Sequence, residues 1–130
     1  RFIDLKTGQD EALNFTKSFI KYRYYLQEAV YAKAFKLIAK DLGLEGYKLL
    51  PFQFLYIGRT ERIPIMFTIS KKWHKAALNG FTTDYGTNYK GLETLIDDIK
   101  WHWDNKVFDM PREIYESEGV INLNDTFIKI

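Results

Sequence analysis

Two charged residues two apart, Asp4 and Lys6 in Ile3-Asp4-Leu5-Lys6-Thr7, offer this chain's most readable chemistry. Phe2, Ile3 and Leu5 around them are apolar, and Thr7-Gly8 reads as a turn, so residues 1–6 are expected to form a short strand. Side chains alternate faces along a strand, so Asp4 and Lys6 project together from its end. A carboxylate beside an ammonium suits metal-dependent phosphodiester cleavage. The carboxylate holds a divalent cation, while the lysine orients or activates water and offsets phosphate charge. A structural ion pair or plain strand-end charge is the alternative, so the reading depends on which residues farther along the chain join the pair.

A helical segment downstream carries Gln27 and Tyr31 four residues apart, hence on one face, with Tyr24 three residues before Gln27. The order of elements that must bring these residues to Asp4 and Lys6 can be read along the chain. Asp10 is placed to cap a helix from Glu11 to Ile20, with Ala12, Phe15 and Phe19 on one face. A long helix is expected over Tyr22–Leu42, with Leu26, Val30, Ala34 and Leu37/Ile38 at helical spacing and Gly43 as its C-cap. The apolar run Lys48–Ile57 suits a strand buried on both faces. A hairpin-like connection over Gly58–Arg62 leads to a strand over Ile63–Ile69, which Pro64 assigns to a sheet edge. Ser70 caps a helix running to Leu78, Asn79-Gly80 stops it, and residues 82–88 read as a polar loop. A further amphipathic helix is expected over Lys90–Asp104, with Leu92, Leu95, Ile96, Ile99 and Trp103 as its buried stripe. After a turn at Met110-Pro111-Arg112, a last strand falls on Val120–Leu123 or on Phe127–Ile130. Elements of this type and order predict an α/β or α+β fold with a small sheet flanked by helices.

The strand ending in D-x-K-T, succeeded after one helix-sized gap by Y-x-x-Q-x-x-x-Y, resembles the PD-(D/E)XK nuclease superfamily, in its RecB/RecE-like or phage-type exonuclease branch. The likeness in element order covers most of residues 1–105, up to a late helix ending in W-x-W. It implies a restriction-endonuclease-like α/β core, a small mixed sheet flanked by helices, seen here from its third core strand onward. It also implies that Asp4 is a metal-binding carboxylate, Lys6 the catalytic lysine, and the Leu5 carbonyl a neutral metal ligand. Gln27 would position the metal-bound water or scissile phosphate, with Tyr31 packed beside it. The implied cofactor is Mg²⁺ or Mn²⁺, the implied partner DNA, with a homo-oligomer among the family's habits. The implied setting is recombination, repair or phage DNA processing in a bacterial cytoplasm. The family also uses an aspartate on the preceding strand and an acidic or histidine residue on an earlier helix, both of which would precede Arg1. The chain is therefore expected to be the C-terminal portion of one nuclease-like domain, holding half of an active site and inactive alone. A chain that opens on Arg1 and enters at once into an apolar strand agrees with that expectation. Glu28 is a remote candidate for a substitute ligand, but next to Gln27 it should point elsewhere.

Other residues are weaker candidates. Tyr24 with Tyr22 and Tyr25 would form a base-stacking surface, or else aromatic packing against the sheet. Lys71, Lys72 and Trp73 read as a phosphate-contacting patch with a stacking residue, or as a solvated helix face with one buried tryptophan. His102 lacks a partner at metal-ligand spacing, and two histidines without a cysteine argue against a zinc site. With no cysteine, disulfides, thiolate sites and cysteine nucleophiles are excluded, which agrees with a reducing compartment. No Gly-rich phosphate loop and no acyl-transfer triad order is present. A hydrophobic fraction of 46% with 17% aromatics supports a real core in the 130 residues. A net charge of +2 does not by itself argue for nucleic acid. No apolar run approaches the roughly 18 residues of a membrane span. Beside the nuclease stand two other readings: a non-catalytic module of the same fold that binds DNA or protein, and a structural α/β domain whose D-x-K is coincidental.

Overall fold

The alternation around Asp4 and Lys6 does form a strand, β1 (Ile3–Thr7). In the computed structural model, which describes residues 1–123, β1 pairs in parallel with β2 (Gln53–Ile57), with Asp4 opposite Phe54 and Lys6 opposite Tyr56. β2 pairs antiparallel with β3 (Ile65–Thr68), with Phe54 opposite Phe67, giving a mixed sheet of order β1-β2-β3. Pro64 immediately precedes β3, which is an edge strand as its missing N–H requires. Between β1 and β2 lie a 3₁₀ turn (Ala12–Asn14), α1 (Phe15–Lys21) and α2 (Tyr24–Ile38). The fold is thus mixed α/β, a small mixed sheet flanked by helices. The chain divides into two compact units, Arg1–Thr94 and a second starting at Leu95.

Period-2 alternation gives the sheet two unlike faces. Asp4, Lys6, Phe54, Tyr56 and Phe67 share one face, against which the helices pack. Phe15 stacks 4.7 Å from Phe67 and lies 5.1 Å from Tyr56, and Phe19 meets Phe54 edge-on at 5.8 Å. Phe54 is fully buried, worth about 1.5–3 kcal/mol. The opposite face stays bare: Ile3, Leu5, Ile57 and Met66 are all exposed. The expectation that the apolar run 48–57 is a strand buried on both faces is therefore corrected. Only Gln53–Ile57 is strand, and burial in this run falls on one side, at Phe52, Phe54 and Tyr56.

The helix expected over Tyr22–Leu42 is also corrected. Arg23 adopts a left-handed conformation (φ 57°), which breaks the helical run and re-aims α2. That conformation costs a non-glycine residue roughly 1–2 kcal/mol. The new phase buries Tyr25, Glu28, Ala29 and Ala32 in place of the Leu26, Val30, Ala34, Leu37 stripe; Val30 and Leu37 are exposed. Gly43 does stop the chain's helical course. Leu44 N–H bonds to Ala39 O (2.7 Å) and Gly43 N–H to Lys40 O (3.0 Å), a Schellman pattern with Gly43 at φ 66°. Asp10 does not cap the helix after it. The Ala12 N–H instead donates to Glu61 Oε1 (2.5 Å), and the Asp10 carbonyl accepts from Tyr56 Oη (2.7 Å). Gly8 leaves room for that phenol: a Cβ there would stand 2.5 Å from Tyr56 Oη.

Ser70 caps α3 (Lys71–Asn79) by accepting from Trp73 N–H (3.2 Å), and Gly80 ends it at φ 88°. Within the segment read as a polar loop, a small hairpin forms from β4 (Phe81–Thr82) and β5 (Asn88–Tyr89). Its Phe81 packs edge-on against Tyr25 at 5.2 Å.

α4 (Leu92–Asn105) begins in the first unit, where Lys33 Nζ meets Glu93 Oε1 at 2.7 Å, and continues into the second, which also holds α5 (Arg112–Glu116). The stripe predicted for this helix is largely solvent-facing, since Ile96, Ile99 and Trp103 are exposed. Within the second unit Trp101 faces Tyr115 (5.8 Å), and Arg112 lies over Trp101 while pairing with Asp97 (3.9 Å) and Asp98 (3.8 Å). Val120–Leu123 is not a strand, and the alternative at Phe127–Ile130 lies outside the described residues. No helix among the described residues is long and apolar enough to cross a membrane.

Candidate functional site

The inward face of β1 and one side of α2 meet at a closed polar cluster. Gln27 Nε2 donates to Asp4 Oδ1 (2.8 Å), and Gln27 Oε1 accepts from Lys6 Nζ (2.9 Å). The Lys6 ammonium also stands 2.9 Å from Asp4 Oδ2, with both side chains about 19% exposed. That last contact is a charge pair without hydrogen-bond alignment, so Asp4 Oδ2 is compensated yet makes no hydrogen bond. An amide suits the position between the two charges because it offers an acceptor to the ammonium and a donor to the carboxylate. Tyr31, one turn on, receives a longer bond from Gln27 Nε2 (3.3 Å) and stacks on Phe52 (5.7 Å, 22°).

Each member is positioned by its element. The β1–β2 register sets Asp4 beside Phe54 and Lys6 beside Tyr56, two buried aromatics of the core. Lys6 Nζ lies 4.2 Å from the Tyr24 ring centroid, a cation–π contact. Tyr24 itself stacks against Phe15 (6.2 Å, 23°), so this candidate stacking residue covers the lysine and packs on the core. The Tyr56 hydroxyl is pushed above its ordinary value by burial, then by the nearby Asp10 and Glu61 charges, and stays protonated.

The other candidates separate. Trp73 is partly buried, edge-on to Phe19 (5.0 Å) and Phe81 (5.3 Å), the packing role weighed against base stacking. Lys71 and Lys72 are exposed; Lys72 borders one cleft together with Trp73, and Lys71 borders another. Glu28 points away from Asp4, as its place beside Gln27 foretold, and meets His74 Nδ1 at 2.6 Å. This pair is the feature that sequence reasoning missed. Its two members lie 46 residues apart, and the only local signal was Glu28's place in the i, i+3, i+4 set with Tyr25, Ala29 and Ala32.

The donor set is of the kind a hard cation takes. Asp4 Oδ2 keeps acceptor capacity, and Mg²⁺ is often held by one or two carboxylates with the remaining positions left to water and phosphate. Gln53 N–H bonds to Phe2 O and Gly8 N–H to Ile57 O, so the even-numbered residues of β1 face β2. That parity turns the Leu5 carbonyl to the other edge of β1, where no strand pairs among the described residues. Asp4 and Leu5 thus fit a partial set of oxygen ligands, while no group of three or more metal-ligating side chains occurs among the described residues.

No protein-family model matches this chain, and neither a curated protein nor a solved structure matches it significantly.

Proposed function

We propose that this chain carries the lysine-bearing part of a metal-dependent DNA nuclease of the PD-(D/E)XK type, with a restriction-endonuclease-like core. The observation that supports it is the meeting of Asp4, Lys6 and Gln27 across 21 and 23 residues of sequence, all within hydrogen-bond distance over the edge strand β1. In this reading Asp4 and the Leu5 carbonyl hold Mg²⁺ or Mn²⁺, together with carboxylates supplied from outside the described residues. The ion, when bound, polarises the scissile phosphate and makes water a stronger nucleophile. Lys6 places a positive charge beside the reacting phosphate and orients the attacking water. Gln27 holds the lysine and the aspartate at fixed spacing, and Tyr31 fixes the Gln27 amide. Tyr24 shields one side of the ammonium from solvent, which strengthens its field on an anion.

The test is degradation of linear double-stranded DNA by the protein in its full natural length, with Mg²⁺ and then with EDTA, beside Lys6→Ala. Metal-dependent cleavage reduced about 10²–10⁴-fold by the substitution is the expected result. Cleavage that survives Lys6→Ala removes Lys6 from the mechanism.

One observation favours a second reading, a non-catalytic DNA- or protein-binding module of the same kind. Both Asp4 oxygens already face Gln27 or Lys6, and no group of three or more metal-ligating side chains occurs among the described residues. Absence of cleavage on linear, nicked and single-stranded substrates would select it.

A further inference from the structure

A cleft of about 440 Å³ opens on another side of α2, and Gln27 is not among its walls. It falls within the roughly 300–1,000 Å³ of small-molecule sites. Phe2, Leu50, Phe52 and Ile69 make it apolar, with two aromatic rings among them. Glu28 also lines it, 5% exposed. One carboxylate oxygen, Oε1, is held by His74 at 2.6 Å. The other, Oε2, is buried and has no hydrogen-bond partner. Lys36, Lys48 and Lys71 border the same cleft, exposed, and no ion pair to any of them occurs among the described residues.

The cleft therefore combines apolar walls, a single unmet acceptor at a buried wall, and three unpaired cations. An apolar anion such as a fatty acid would satisfy the walls and the lysines but offers no donor to Glu28 Oε2. A metal ion would meet one orphan oxygen among three ammonium groups. A nucleotide meets all three features. Its base is flat and stacks on aromatic rings, its exocyclic amine donates a hydrogen bond, and its phosphate is anionic.

We propose that this cleft binds a nucleotide, with an amino-bearing base (adenine, cytosine or guanine) between the apolar walls, its amine on Glu28 Oε2, and its phosphate on Lys36, Lys48 and Lys71. Thymine is disfavoured because its only ring donor lies between two carbonyl oxygens that would face the carboxylate. His74 is a positioning residue, holding the Glu28 carboxylate through Oε1 and leaving Oε2 to the ligand. The proposal stands without the cleavage reading, because none of its residues belongs to the Asp4–Lys6–Gln27 cluster.

The experiment is calorimetric titration of the whole chain, in EDTA, with dAMP, dGMP, dCMP and dTMP separately. At least one amino-bearing nucleotide should bind 10-fold or more tightly than dTMP. Glu28→Gln, which turns a donor toward the base, should weaken that binding 10-fold or more. The combined Lys36→Ala, Lys48→Ala and Lys71→Ala variant, altered only at exposed positions, should lose it. Lys72→Ala, which borders a different cleft, should leave it unchanged. An oligonucleotide ending in the preferred base that competes with the nucleotide identifies a strand end as the source, and failure to compete identifies a free nucleotide; both keep the site. No binding of any of the four, binding of dTMP as tight as the rest, or binding indifferent to the three lysines would overturn the proposal.

Discussion

Gln27 and Glu28 are consecutive residues of one helix, yet they enter opposite kinds of polar surroundings. On the Gln27 side both ends of the amide are used, and a carboxylate and an ammonium neutralise each other around it. On the Glu28 side one oxygen is held by His74 and the other is left buried without a donor. The first network is closed by the chain itself, through a strand register that fixes where its charges stand. The second stays open, with no donor to Glu28 Oε2 among the described residues. Neighbouring polar residues of one helix can thus be fully paired on one side and left short of a partner on the other.

That contrast makes measurable demands. The largest effect belongs to Lys6→Met, which leaves the Asp4 carboxylate uncompensated. Its expected cost is about 2–3 kcal/mol in urea unfolding, below the 3–5 kcal/mol of a fully buried pair because both side chains keep some exposure. A cost under about 0.5 kcal/mol would mean that charge pairing does not hold the closed side together. Gln27→Ala comes next, at about 1–2 kcal/mol, since it strips hydrogen bonds from both charges while leaving them to each other. Glu28→Gln should lie within about 0.5 kcal/mol of the parent, because an amide oxygen still accepts from His74 and no satisfied bond of Oε2 is lost. If it costs as much as Gln27→Ala, the two sides are alike and the comparison fails.

A gentler probe is alkaline pH. Tyr25, on the buried stripe with Glu28, and Tyr56, beneath Lys6, are both raised from 10.0, each chiefly by burial. Their folded values exceed their unfolded ones, so their contribution is full below pH 10.0 and is lost as pH rises through the folded values. Phenolate absorbance should show Tyr25 and Tyr56 ionising only above pH 10.0, together with loss of near-ultraviolet ellipticity. Ionisation of all tyrosines in one early step, with the fold intact, would contradict their burial.

The closed side was legible in the sequence for a physical reason. Strand alternation and helix periodicity are local rules, so Asp4/Lys6 and Gln27/Tyr31 could each be placed on a face from spacing alone. The Ser70 cap and the Pro64 edge position are local in the same way. The open side was not legible, because helical spacing in this segment offers more than one face, and packing selects the one that buries Glu28 and leaves Val30 exposed. The pairing of Glu28 with His74 and the bare second face of the sheet are likewise decided by which elements stack, not by the residues along any one of them.

The parallel pairing of β1 with β2 also sets a timetable. Thr7 is separated from its partner Ile57 by 50 residues, so β1 is made long before the strand that holds it. At synthesis rates of about 5–20 residues per second, that interval lasts roughly 3–10 seconds. During it the strand that carries Asp4 and Lys6 lacks its β2 partner. The polar cluster can take its final geometry only once β2 has arrived, which makes this pairing, of high contact order, the step expected to limit how fast the nascent chain becomes competent.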